Sequence, residues 1–181
     1  MRNQRRNNAY IDASNLYKGA GSLGWRLDYR KFRRWLREKH GVGTAYLFMG
    51  YVPSLKYLYK TLQESGFALV LKMTTQDGAG NVKGNVDAEL VLWATSDFYE
   101  GKYDRAVVVS SDGDFACLVS FLMKRGKLEV VVSPAISAKC SFLIRRTKAP
   151  ITYLNDIRGH VEEAKNERAP GADGTAAGPL S

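Results

Sequence analysis

The sequence is short of the residues that most often carry enzyme chemistry. Its 181 residues include only two histidines and two cysteines. Cys117 and Cys140 lie far apart within apolar helical patterns, with neither a histidine nor another cysteine beside them, so no zinc cluster is built and both read as small core residues. His40 falls at the basic end of a helical segment and His160 beside a polar tail, which leaves no Ser/His/Asp or Cys/His constellation. No apolar run approaches the ~20 residues of a membrane span, and the opening MRNQRRNNAY lacks the apolar core of a secretion signal. A cytoplasmic protein with no membrane partner is expected. No internal repeat is present. Any chemistry falls to carboxylates.

Acids are also the minority charge. The chain carries 27 Lys+Arg against 18 Asp+Glu, a net charge of +9. Such an excess suits a polyanionic partner, with nucleic acid the first expectation and an acidic membrane surface the weaker one. At 45% hydrophobic the chain can bury one sizeable core. One domain is expected over 8–158, after a basic arm over 1–7 that carries Arg2, Arg5 and Arg6. A polar, largely disordered tail is expected over 159–181, because its ERAPGADGTAAGPLS buries too little apolar surface to offset the entropy of ordering it.

Within the domain, strand-like runs alternate with segments of helical period, the pattern of an α/β fold. Strands are expected at Asn8–Ile11, Ala45–Tyr51, Phe67–Met73, Arg105–Val109 and Leu128–Val132, with Pro150–Tyr153 as an added edge strand. Helices are expected over Asp28–Lys39, after Pro53 with Ser54 as N-cap and Gly66 at the exit, over VDAELVLWATSDFYEG, over Asp114–Arg125 and around Lys139–Arg145. A glycine- and asparagine-rich loop, TTQDGAGNVKGN, separates the third strand from its helix. Strands joined through helices make a mostly parallel sheet with right-handed crossovers, and such sheets bind ligands outside the carboxyl ends of their strands.

Four aspartates gather at those ends. Asp12 ends the first strand in YIDASN, and Asp112 ends the fourth in VVVSSDGDF. If the strand order reverses between the two, they sit about 4.8 Å apart in one crevice. Asp87 opens the helix of KGNVDAEL, where the bland alternative is complementing the helix dipole, and Glu89 lies on the solvent side. Asp114 stands two residues past Asp112, where the bland alternative is an N-cap. Carboxylates crowded in this way repel, so either some take up protons or cations bridge them, and hard oxygen ligands without His or Cys favour Mg²⁺ or Mn²⁺.

The trio YIDASNL, KGNVDAELVL and VVVSSDGDF resembles the NYN branch of the PIN-like nuclease superfamily, and its bacterial LabA-like members in particular, over most of the chain from Asn8 to Asp156. The resemblance implies a three-layer PIN-like (Rossmannoid) domain with a mostly parallel sheet of about five strands in the order 3-2-1-4-5. It also implies a metal-dependent ribonuclease site formed by acids that match Asp12, Asp87, Asp112 and Asp114, as catalytic residues and metal ligands. Asn15 matches the family's asparagine after the first acid, suited to orient ligand or metal-bound water. Where many relatives resemble SGDSDF this chain has SSDGDF, so Gly113 replaces a hydroxyl between the acids.

Phosphodiester hydrolysis needs an activated water, stabilisation of the charge on the transition state and help for the leaving oxygen, all of which one or two divalent ions can supply. Asn15, Ser111 and Lys83 are the expected polar contacts to substrate near the acids. Arg30, Arg33, Arg34 and Arg37 recur at i, i+3, i+4 and i+7, a basic stripe that suits a phosphate backbone or simply a solvated helix face. Tyr17 and Trp25 are candidates for stacking on unpaired bases, with packing on the sheet rim the alternative. GAGSLG, residues 19–24, fits G-x-G-x-x-G, but ASNLYK separates it from the strand, so it reads as a flexible loop rather than a dinucleotide fingerprint. The expectation is a Mg²⁺- or Mn²⁺-dependent endoribonuclease acting on single-stranded RNA. A non-catalytic RNA- or protein-binding regulator is the alternative, and a homodimer is compatible with either.

Overall fold

The computed structural model describes residues 6–73, 75–76, 82–83 and 86–164. Arg2, Arg5 and the tail from 165 onward lie outside the described residues, as does the side chain of Lys83. Six strands form one sheet: β1 (Asn7–Asp12), β2 (Val42–Tyr51), β3 (Ala68–Met73), β4 (Ala106–Val109), β5 (Leu128–Ser133) and β6 (Ile151–Tyr153). Their order is 3-2-1-4-5-6 and every pairing is parallel. The five expected strands are therefore joined by the sixth at the edge.

Side-chain alternation along the central strands builds two cores, as the period of 2 requires. On β1, Ala9 and Ile11 enter one core and Tyr10 the other; on β4, Val107 and Val109 part from Ala106 and Val108 in the same way. The first core takes its helical side from α1 (Ala13–Ser22), α2 (Tyr29–His40), α3 (Lys56–Glu64) and α7 (Arg158–Val161). The second is covered by α4 (Asp87–Tyr99), α5 (Ala116–Lys124) and α6 (Phe142–Arg146). Leu16, Phe32 and Leu36 on one face and Leu90, Leu118 and Leu122 on the other are sealed from solvent. Burial of such side chains is worth roughly 1.5–3 kcal/mol each relative to exposure, which makes the three layers one cooperative body. Among the described residues no helix is long and apolar enough to cross a membrane.

Several local expectations are corrected. Residues 19–22 of GAGSLG are helical, because Asp12 caps α1 and the apolar spacing of Ala13, Leu16 and Ala20 carries the helix across the glycine. Gly19 is needed there: a Cβ at this position would overlap the side chain of Pro134. Ser54 is not a cap but part of a 3-10 turn, Pro53–Leu55, that leads into α3. Inside the TTQDGAGNVKGN loop, Thr75–Gln76 and Val82–Lys83 pair as a short antiparallel ladder. Cys117 is exposed, whereas Cys140 is buried ahead of α6. Asn7 belongs to β1, and the fold continues past 158 through α7 to a bridge between Leu27 and Glu162.

Two polar ties brace the frame. The Tyr10 hydroxyl donates to Asp97 Oδ2 at 2.8 Å, and Lys102 Nζ lies 3.2 Å from Asp97 Oδ1, fixing β1 to the far half of α4. Burial pushes the Tyr10 phenol far above its usual range, so it serves as a donor throughout the physiological pH range. On the opposite face, the Arg33 guanidinium donates to the carbonyls of Gly66, Val42 and Gly43, stitching α2 to the exit of α3 and the start of β2.

Candidate active site

β1 and β4 are neighbours in register, Ile11 opposite Val109, so the residues that follow them emerge side by side at the carboxyl end of the sheet. Asp12 is almost closed off from solvent, at 5% exposure, and its Oδ1 accepts the amide of Asn15 at 3.1 Å. Asp112 is extended in backbone and exposed, and its Oδ1 accepts the amide of Asp114 at 3.1 Å. The cap beyond β4 is thus Asp112, opening a 3-10 turn (Gly113–Phe115) that runs into α5, and the bland alternative for Asp114, an N-cap, does not hold. Both principal acids have a structural task, because each side chain satisfies an amide that its new helical turn would otherwise leave unpaired.

Asp87 opens α4 against this corner and is half-buried. The Asp12 carboxyl is pushed up from its ordinary 3.8 to about 6, first by burial and then by the negative charges of Asp87 and Asp112, against the opposing pull of the Asn15 amide. Three carboxylates therefore share one electrostatic field. Asp114 is exposed and is not among the charges that act on Asp12. Among the described residues no three His, Cys, Asp or Glu side chains stand as a ready cage for an ion. The donor set nonetheless fits a hydrated magnesium-like ion, which binds through one or two carboxylates and keeps several waters. A cation beside Asp12 would also relieve the repulsion that raises its proton affinity.

Asn15 and Ser111 hold the two sides of the crevice together. Asn15 Oδ1 accepts from the Ser111 amide at 2.8 Å and from its hydroxyl at 2.9 Å. With the carboxamide oxygen occupied, the NH₂ group is the end that Asn15 can offer a ligand. Ser110 is buried, and its Oγ accepts the Asp112 amide at 3.1 Å, which sets the direction in which that acid leaves the strand. Gly113 has no room for a side chain: a Cβ would stand 2.5 Å from Ser141 Oγ and 3.1 Å from Leu143 Cδ1. The start of α6 thus closes on the acidic turn.

The expected basic stripe is not one surface. Arg33 is committed to three backbone carbonyls, and Arg37 pairs with Glu38 at 3.6 Å. Arg37 also lines a cavity of about 480 Å³ with Arg6, Lys102 and the starts of β1 and β2, at the end of the sheet away from the acids. Arg30 and Arg34 are exposed. Trp25 is a core residue, its Nε1 donating to Asn155 Oδ1 and its ring covered by Arg158, whereas Tyr17 is 40% exposed on α1. Sequence reasoning missed the short α6 as a wall of the crevice; its signal was the acid-free basic run around FLIRR.

A crystal structure of a protein of unknown function from Vibrio parahaemolyticus has the same fold, with a TM-score of 0.71 at 21% identity over 90% of this chain and 99% of that one. No curated protein matches the chain. The family model of the NYN domain matches residues 8–148, from β1 through the acid-bearing ends of β1, α4 and β4 to the close of α6. With its parallel sheet in the order 3-2-1-4-5-6, a PIN-like nuclease fold, the chain belongs to the NYN domain family.

Proposed function

We propose that the protein is a Mg²⁺- or Mn²⁺-dependent ribonuclease of the LabA-like branch that cleaves single-stranded RNA internally, using Asp12, Asp87 and Asp112, with Asp114 in support. The observation that carries this reading is the buried Asp12 carboxyl, held at a raised proton affinity by two further carboxylates at the ligand end of a parallel sheet. A buried acid surrounded by like charge destabilises an apo protein, and a bound cation is what makes that arrangement favourable.

A bound ion would supply Lewis acidity toward the phosphate and lower the pKa of a coordinated water. The chain's own residues supply the rest. Asp12 and Asp112 would hold the ion, with Asp87 closing the shell directly or through water. Each capping amide fixes one oxygen of Asp12 or Asp112, so neither acid has to be ordered when substrate arrives. Asn15, oriented by Ser111, would present its NH₂ to a phosphate oxygen. Lys83 is assigned to a phosphate on sequence grounds alone.

The test is a labelled RNA oligomer with purified protein, with Mn²⁺ or with chelator, alongside Asp112→Asn. Metal-dependent cleavage that the substitution abolishes supports the reading. Equal cleavage by wild type and variant overturns it, and RNA binding that never leads to cleavage with any divalent ion assigns the fold to a regulator.

A further inference from the structure

The turn and short helix that close on the acidic turn form the side of the crevice that the reaction chemistry leaves unassigned. Their anchoring is firm. The Ser141 amide donates to the Ser111 carbonyl at 3.0 Å, Ile144 and Cys140 are buried in the second core, and Ser141 and Leu143 fill the space above Gly113. From this anchored base apolar groups face outward: Phe142 is 63% exposed, Leu143 49% and Ile136 39%. An aromatic ring so exposed beside buried neighbours contributes little to folding.

The charge of the same segment is one-sided. Residues 133–148 contain Lys139, Arg145, Arg146 and Lys148 and no Asp or Glu. Among the described residues none of the four forms an ion pair, in contrast to Arg33 and Arg37 on α2, whose guanidinium groups are engaged. An exposed aromatic face interleaved with unpaired cations, next to a carboxylate cluster, matches the chemistry of an unpaired polynucleotide strand. Bases stack on the ring and phosphates meet the cations. In a duplex the base faces are already stacked on one another and unavailable.

We infer that residues 139–148 are the track on which single-stranded RNA is held beside the acids, with Phe142 stacking on a base and Arg145 and Arg146 meeting the phosphates. α2 is not this track. The inference rests on the nuclease reading and adds where the strand lies and why it must be unpaired.

Binding is measured apart from cleavage, in chelator, with a single-stranded RNA containing 2-aminopurine and with the same sequence as a duplex. Wild type is expected to quench 2-aminopurine fluorescence and to prefer the single strand. Phe142→Ala should lose the quenching and about tenfold in affinity, while Phe142→Trp retains both. Arg145→Ala/Arg146→Ala should lower the slope of log affinity against log salt by about 1.4, from two phosphate contacts at ~0.7 each. Arg30→Ala/Arg34→Ala should leave that slope unchanged. Unchanged affinity and slope in the α6 variants overturn the inference, as does a Phe142→Ala variant that binds RNA normally but sediments as a smaller species, which would give the patch to a second copy of the chain. Cleavage is then followed in Mn²⁺. Binding through α6 without cleavage defeats the nuclease reading and spares the track, whereas cleavage with an unchanged KM in the α6 variants does the reverse.

Discussion

Asp12 and Asp112 perform the same local task on adjacent strands: each Oδ1 accepts, at 3.1 Å, the amide of a residue shortly after it and so starts the turn that follows β1 or β4. In the proposed site stability and chemistry are joined in the same two side chains, yet they make different demands. Capping uses an oxygen that an amide side chain also possesses, whereas metal ligation needs the charge.

Asp12→Asn separates those demands. Asparagine caps as well as aspartate, so α1 is retained while the buried charge disappears. In the wild type the folded carboxyl, at about 6, holds its proton more tightly than the unfolded one, near 3.8. This group's contribution to stability is therefore complete below about pH 4 and is lost as pH rises to about 6. The variant should be more stable than wild type at pH 7 without metal, by up to about 3 kcal/mol, with the advantage vanishing near pH 4. Urea unfolding at the two pH values measures it, and a less stable variant at pH 7 would contradict the burial argument.

Metal uptake at the proposed site would compete with that proton. At subsaturating Mn²⁺ the initial cleavage rate should climb with pH toward about 6 and level off above it, with the rise moving to lower pH as Mn²⁺ is increased. A profile that ignores Mn²⁺ concentration would uncouple Asp12 from the ion.

Gly113→Ser restores the hydroxyl seen in relatives of similar pattern, but in this chain it meets Ser141 Oγ within 2.5 Å of its Cβ. The substitution should cost roughly 1–3 kcal/mol through overpacking, and Ser141→Gly in the same chain should recover part of that. Thermal unfolding of the two single variants and the double variant gives the coupling directly; additive losses would mean that α6 yields freely.

Tyr10→Phe removes a hydrogen bond to a buried carboxylate and should cost roughly 1.5–3 kcal/mol in denaturant unfolding. Arg33→Ala should also lower stability, through three backbone carbonyls left without their donor, while leaving RNA affinity intact. A fall in affinity without a fall in stability would restore Arg33 to the nucleic-acid surface.

Much of this was legible in the sequence. The β-branched runs of β4 and β5 have no stable place except a central parallel sheet, and Asp12 and Asp112 follow from where β1 and β4 stop. The edge strand at Ile151–Tyr153 was visible as well. What escaped was set by tertiary contact. Gly19 of α1 read as part of a loop because its reason lies against Pro134, more than a hundred residues away. The arginines of α2 read as one stripe because periodicity shows which face they share, not that Gly66, Val42 and Gly43 claim Arg33. The cap beyond β4 is Asp112 and not Asp114, for which capping was the bland alternative; sequence does not reveal the 3-10 turn, Gly113–Phe115, that precedes α5.

The Tyr10–Asp97 tie bears on how this domain can change over time. Asp87 and Asp97 lie on the same helix, but the first faces the proposed metal site and the second serves the frame. A lineage that gave up cleavage and kept RNA binding is free to drift at Asp87, whereas loss of Asp97 without a matching change at Tyr10 would leave a buried partner stranded. Descendants that lack the first acid yet retain the second would be folded proteins with a new occupation, and those lacking the second alone would be decaying copies.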